Sequence, residues 1–74
     1  MTSSLDASGL KCPLPVLKAR KKLKTLAVNS TLEVIATDPG AVEDFMAYCK
    51  SSGHTLVKWH VNSGIYKFLL RKEA

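Results

Sequence analysis

The period of apolar and polar positions switches repeatedly along the chain, and each switch marks an element. Ser3 to Ala7 reads as a short, weakly apolar strand, closed by turn chemistry at Ser8-Gly9. From Pro13 to Ala27, the residues Val16, Ala19, Leu23, Leu26 and Ala27 recur at helical spacing on one stripe, while Lys18, Lys21 and Lys22 project away from it. This predicts an amphipathic helix of about four turns. After Asn29-Ser30, Leu32, Val34 and Ala36 alternate with Glu33 and Ile35 as in a half-buried strand. Asp38-Pro39-Gly40 then carries cap-and-proline chemistry, and Val42, Phe45, Met46 and Cys49 form the stripe of a second helix that stops at Ser52-Gly53. Thr55 to Val61 and Ile65 to Arg71 are rich in β-branched and aromatic residues and flank Asn62-Ser63-Gly64, which predicts a closing hairpin.

The predicted order is β-α-β-α-β-β. Right-handed crossovers turn that order into an α+β fold, a two-layer sandwich in which a four-stranded mixed sheet carries both helices on one face. Parallel pairing of the first two strands places their ends at one edge of the sheet, and both helices start there. Cys12 and Asp38 are therefore expected to be neighbours. Asp38 is expected to cap its own helix, with Glu43 and Asp44 in that helix's early turns, where negative charge suits the dipole.

Length and charge narrow the possibilities further. The 74 residues hold no linker, repeat or low-complexity run, so residues 1–74 are read as a single domain with one small core. Two cysteines exclude a disulfide-dense scaffold, and no apolar run approaches the roughly 18 residues of a membrane span. With no export signal in view, a cytoplasmic protein is expected. The formal charge of +5 suits acidic partner surfaces or nucleic acid.

The candidate chemistry lies in Cys12-Pro13-Leu14-Pro15, where a loop gives way to the first helix. Proline fits a helix's first turn because its missing N–H breaks no intrahelical bond, and it drives the residue before it into extended geometry. Pro13 is read as the first helical residue and Cys12 as its cap, with an exposed sulfur. Unpaired N–H groups and the positive end of the dipole favour an anion there, so the Cys12 thiol is expected to have a depressed pKa and to be a thiolate. With Pro13 and Pro15 lacking N–H, the donors left in that turn are those of Leu14 and Val16. Leu14 falls nearly opposite the apolar stripe and reads as an exposed docking contact.

Leu5-Asp6, the run Gly9-Leu10-Lys11-Cys12-Pro13-Leu14-Pro15-Val16-Leu17, then Thr37-Asp38-Pro39-Gly40-Ala41 and Gly53-His54 together resemble the small TusA/SirA-like sulfur carriers over nearly the whole chain. The resemblance implies a two-layer sandwich of four strands and two helices, and a carrier protein of sulfurtransferase type rather than a stand-alone enzyme. In that family the cysteine of Cys-Pro-x-Pro takes up sulfane sulfur as a persulfide from a donor such as a cysteine desulfurase or rhodanese and passes it to an acceptor protein. Its pathways include transfer-RNA thiolation, other sulfur trafficking and, in some organisms, sulfur oxidation. By resemblance the carrier is Cys12, supported by Pro13, Pro15, Gly9 and Asp38, with no cofactor or metal beyond the transient covalent persulfide. Partner docking is assigned to Leu14, Lys18, Lys21 and Lys22, and the expected partners are proteins, not nucleic acid or membrane, around a monomer. Glycine is frequent in the family where this chain has Asn29, which also accepts left-handed geometry.

Competing readings are weaker. Cys49 sits with Phe45 in the apolar stripe and reads as core packing; His54 and His60 read as a loop and a sheet-surface residue, and Trp59 and Tyr66 as filling a sheet face. A metal site from Cys12, Cys49, His54 and His60 lacks a close ligand pair, and a dithiol oxidoreductase would carry Cys-x-x-Cys. The serious alternative is a small basic nucleic-acid-binding or regulatory module built on Lys18, Arg20, Lys21, Lys22 and Lys24, but that helix has no interleaved aromatics for base stacking.

Overall fold

A computed structural model describes residues 2–73. It has the elements β1 (Thr2–Ala7), α1 (Leu14–Lys24), β2 (Thr31–Ala36), α2 (Ala41–Ser52), β3 (Thr55–Asn62) and β4 (Ile65–Arg71). The sheet order is β1-β2-β4-β3, with β1 parallel to β2 and the other neighbours antiparallel. The α+β architecture expected from the order of elements, both helices on one face of a mixed sheet, is the one observed.

The core follows from the period of β2. Leu32, Val34 and Ala36 point to the helices and are fully buried, and β4 sets Phe68 and Leu70 beside them. From the helix layer, Ala19 and Leu23 of α1 and Ala41, Phe45 and Cys49 of α2 close over that surface. Phe45 and Phe68 meet with ring centroids 4.5 Å apart. Full burial of one such large side chain contributes about 1.5–3 kcal/mol, so a few residues carry most of the stability of so small a core.

The helices depart from the expected pattern at their ends. α1 has 11 residues rather than four full turns, because Thr25 and Leu26 bond to the carbonyls three residues back, Lys22 and Leu23, at 3.0 and 3.1 Å. The chain's last segment then ties the exit down: Asn29 N–H donates to the Lys72 carbonyl (2.7 Å), Lys72 N–H to the Ser30 carbonyl (2.9 Å) and Lys72 Nζ to the Leu26 carbonyl (2.7 Å). Asn29 takes the left-handed geometry expected of it, with φ of 71°. Ala27, placed on the buried stripe from the sequence, is exposed, and Pro15 is fully buried. In α2 the buried stripe is Ala41, Phe45 and Cys49, while Met46 is 47% exposed. Trp59, on edge strand β3, stacks near Phe68 at 6.3 Å yet stays 37% exposed, so it fills the sheet face only in part.

Candidate functional site

The β1–α1 loop is shaped by its own polar residues before any partner is involved. Asp6 Oδ1 accepts from Ser8 N–H (2.9 Å) and Ser8 Oγ (2.6 Å), an Asx turn whose bonds hold the Asp6 carboxyl below its usual pKa. Gly9 follows with φ of 79°, a geometry that costs glycine nothing. Its N–H donates to Thr37 Oγ1 at 2.8 Å, which binds this loop to the β2–α2 loop. Since β1 and β2 are parallel and in register from Thr2↔Thr31 to Ala7↔Ala36, both loops leave the sheet side by side.

Cys12 stands in the notch between them, exposed as expected. Its N–H donates to Asp38 Oδ2 at 2.8 Å, so the predicted closeness of Cys12 and Asp38 holds. Asp38 does not cap its own helix: α2 starts from Gly40 without a side-chain cap, and the carboxylate reaches across to the neighbouring loop. Gly40 leaves room for that close approach: an added Cβ would crowd Asp38 Oδ2 at 3.3 Å and touch Cys12 Cβ and Sγ at 3.5 and 3.8 Å.

The expected capping by Cys12 also differs from what is observed. α1 runs from Leu14, its N-cap is Pro13, and Pro15 lies in its first turn, with no acidic residue there. Of the two donors expected to favour an anion, the Leu14 N–H is already taken by the Lys11 carbonyl at 2.8 Å. The sulfur turns instead to α2, where Cys12 Sγ donates to the Asp44 carboxylate. This hydrogen bond, together with desolvation and the negative charges of Asp44 and Asp38, pushes the Cys12 thiol up to about 11 from its usual 9.0. The expectation of a depressed pKa is therefore reversed. A helix end acts on an exposed group with about half a charge, worth roughly 0.3–1 kcal/mol, and it is outweighed by full carboxylate charges, one of them bonded to the sulfur.

Sequence reasoning missed Asp44 as a site residue because it read that carboxylate as serving the α2 dipole. The signal was available in principle. Two helices starting at one sheet edge present their first turns to each other, and Asp44 is in the first turn of α2.

The remaining candidates divide by position. Leu14, 46% exposed, lines a groove of about 410 Å³ with Leu17, Lys18, Arg20, Lys21 and Lys24, an apolar floor under a cationic rim. Lys22 lies round the helix from it, on a shallow depression shared with Leu5, Lys18 and Lys21. Cys49 is 6% exposed inside the core, and burial raises its thiol pKa. His60 is exposed on β3, and His54 Nδ1 accepts the Glu73 N–H at 3.2 Å. Among the described residues, no group of three or more His, Cys, Asp and Glu side chains could hold a metal ion, and no helix is long and apolar enough to cross a membrane.

Comparison with known proteins places these features in a wider set. The family model described as Sulfurtransferase TusA matches residues 3–72. The sulfur carrier protein TusA of Allochromatium vinosum is 48% identical over 68 residues, covering 92% of this chain and 90% of the relative. The sulfur carrier protein TusA of Pseudomonas aeruginosa is 43% identical over 70 residues, covering 95% of this chain and 89% of the relative. The crystal structure of a SirA-like protein from Desulfitobacterium hafniense superposes with a TM-score of 0.84 at 19% identity, covering 97% of this chain and 99% of that one, a likeness of fold.

Proposed function

Because the chain belongs to the Sulfurtransferase TusA family and is a sulfur carrier, with donor and acceptor proteins as its partners, we propose that Cys12 is the carrier residue, its Sγ holding sulfur as a persulfide. The observation that carries this reading is the contrast between the two thiols. Cys12 is exposed on a loop fixed by hydrogen bonds from its own N–H and from Gly9, whereas Cys49 is enclosed by the core. In loading, Cys12 Sγ attacks the outer sulfur of a donor persulfide. An Sγ–S bond forms, the donor's S–S bond breaks with its electron pair going to the donor sulfur, and the proton released from Cys12 is available to that sulfur. The donor is a cysteine desulfurase or rhodanese, and the acceptor serves transfer-RNA thiolation, other sulfur trafficking or sulfur oxidation. In this reading the carrier is a cytoplasmic monomer, needs no cofactor or metal, and meets proteins rather than nucleic acid or membrane. Incubation with a cysteine desulfurase and cysteine should add the mass of one sulfur atom, removed again by a reducing agent. A chain that never gains that mass, from the desulfurase or from polysulfide, removes the persulfide from the mechanism.

The groove on α1 supplies the docking surface of this proposal, with Leu14 and Leu17 for apolar contact and Lys18 and Lys21 for an acidic rim on the partner. Lys22 extends the charged surface on the Leu5 side. Leu14→Ala and Lys21→Glu should each slow transfer from a protein donor several-fold while changing stability by no more than about 0.5 kcal/mol. Single-turnover transfer rates equal to wild type in both variants would take this face out of the docking surface.

A further inference from the structure

Cys12 Sγ donates its hydrogen bond to the carboxylate of Asp44, while Asp38 accepts from the Cys12 N–H. A neutral thiol can donate that bond; a thiolate or a persulfide anion cannot. Asp44 therefore interacts favourably with the empty carrier and unfavourably with the loaded one, since Sγ in a persulfide has no proton to donate and the persulfide, a stronger acid than its parent thiol, carries its negative charge on the outer sulfur one bond away. A group that interacts differently with two states shifts the equilibrium between them by that difference.

We propose that Asp44 is a positioning residue that biases Cys12 toward its unloaded thiol, making this chain a loose holder of sulfur that gives it up readily to an acceptor thiol. The inference rests on the reading of Cys12 as the persulfide site. In unloading, the acceptor's sulfur attacks the outer sulfur of the Cys12 persulfide. A new sulfur–sulfur bond forms on the acceptor, the Sγ–S bond breaks with its electron pair passing to Sγ, and the acceptor's thiol proton ends on Sγ, where Asp44 takes up the hydrogen bond again. Sulfane sulfur changes holder, and no external oxidant or reductant enters.

The charges around the sulfur all act in one direction. Asp44 comes from the first turn of α2 and Asp38 from the loop before it, and both raise the thiol's pKa. α1 brings no compensating charge at its start, since its first charged residue is Lys18. Lys11 flanks the cysteine in sequence, and its carbonyl is engaged by the Leu14 N–H. With the thiol pKa raised, the fraction of thiolate at neutral pH falls, so the empty carrier is also slow toward small electrophiles until the pH approaches that value.

The test compares wild type, Asp44→Asn and Asp44→Glu, with Asp44→Ala as a second neutral variant should Asn impair folding. Each is equilibrated with one fixed mixture of glutathione and glutathione persulfide at pH 8, and the loaded fraction is read by intact-protein mass spectrometry. The neutral variants should show a loaded-to-unloaded ratio about tenfold above wild type, the change that accompanies one pKa unit of differential interaction, and Asp44→Glu should stay near wild type. In parallel, the pH midpoint of iodoacetamide alkylation should fall from about 11 in wild type toward the usual 9.0 in the neutral variants. Equal ratios in wild type and both neutral variants, or an alkylation midpoint that does not move, would overturn the role of Asp44 while leaving Cys12 as the carrier. Failure of every form to load would overturn both readings.

Discussion

Cys12→Ser abolishes the gain of one sulfur atom after incubation with a cysteine desulfurase and cysteine, and Cys49→Ser still loads. The expected effect is all-or-none because the two thiols differ in access before they differ in acidity. Cys12 is exposed at the notch between two loops. Cys49 lies in the core cluster with Phe45 and Phe68, 6% exposed, and burial raises its thiol pKa as well. A raised pKa alone does not separate the two, since the Cys12 thiol is also pushed up, by Asp44 first. Access decides, because a sulfane sulfur must approach Sγ along a free direction and only Cys12 offers one. The readout is intact-protein mass before and after a reducing agent. Loading that persisted in Cys12→Ser and vanished in Cys49→Ser would move the chemistry to α2 and falsify the assignment.

Phe45→Ala unfolds most of the protein's stability. Phe45 is fully buried, and its ring is 4.5 Å from Phe68, at the contact between α2 and the sheet. Truncating a buried phenylalanine costs about 3–5 kcal/mol, from the transfer of the ring and from the cavity left behind. Small domains are held by a total near the low end of about 5–15 kcal/mol. For a chain of this length each kcal/mol moves the melting temperature by about 4–8 °C, so a fall of at least about 12 °C is expected. Met46→Ala, one residue along the same helix but 47% exposed, should change stability by no more than about 0.5 kcal/mol. Thermal melts followed by circular dichroism check both, and comparable shifts for the two would mean that the core has been misplaced.

The outcome at Met46 also shows where periodicity runs out. Val42, Phe45, Met46 and Cys49 share one broad helical stripe, and a stripe locates a buried arc without its edges. Contact with the sheet narrowed that arc to Ala41, Phe45 and Cys49. α1 behaves the same way at its end, where the pattern continued through Leu26 and Ala27 but the backbone tightened at Thr25 and was tied to Lys72. That tie joins residues far apart in the chain, and no local pattern carries it.

At the site, the local chemistry of Cys12-Pro13-Leu14-Pro15 was enough to mark a presented cysteine, and the order of elements was enough to bring Asp38 beside it. Both follow from short-range rules: proline's missing N–H and the handedness of parallel crossovers. The acidity of the sulfur was decided only by the tertiary structure. Within the chain's local neighbourhood the largest influence on Cys12 is the helix start, which favours an anion. Folding brings Asp44 and Asp38 from beyond β2 to the same residue, Asp44 onto the sulfur and Asp38 onto the backbone N–H, and these full charges exceed a partial charge that Pro13, Pro15 and the bonded Leu14 N–H have already weakened. Sequence by itself determined which residue is presented and on what fold; which protonation state it rests in depended on residues that meet only when the sheet sets two helix starts side by side.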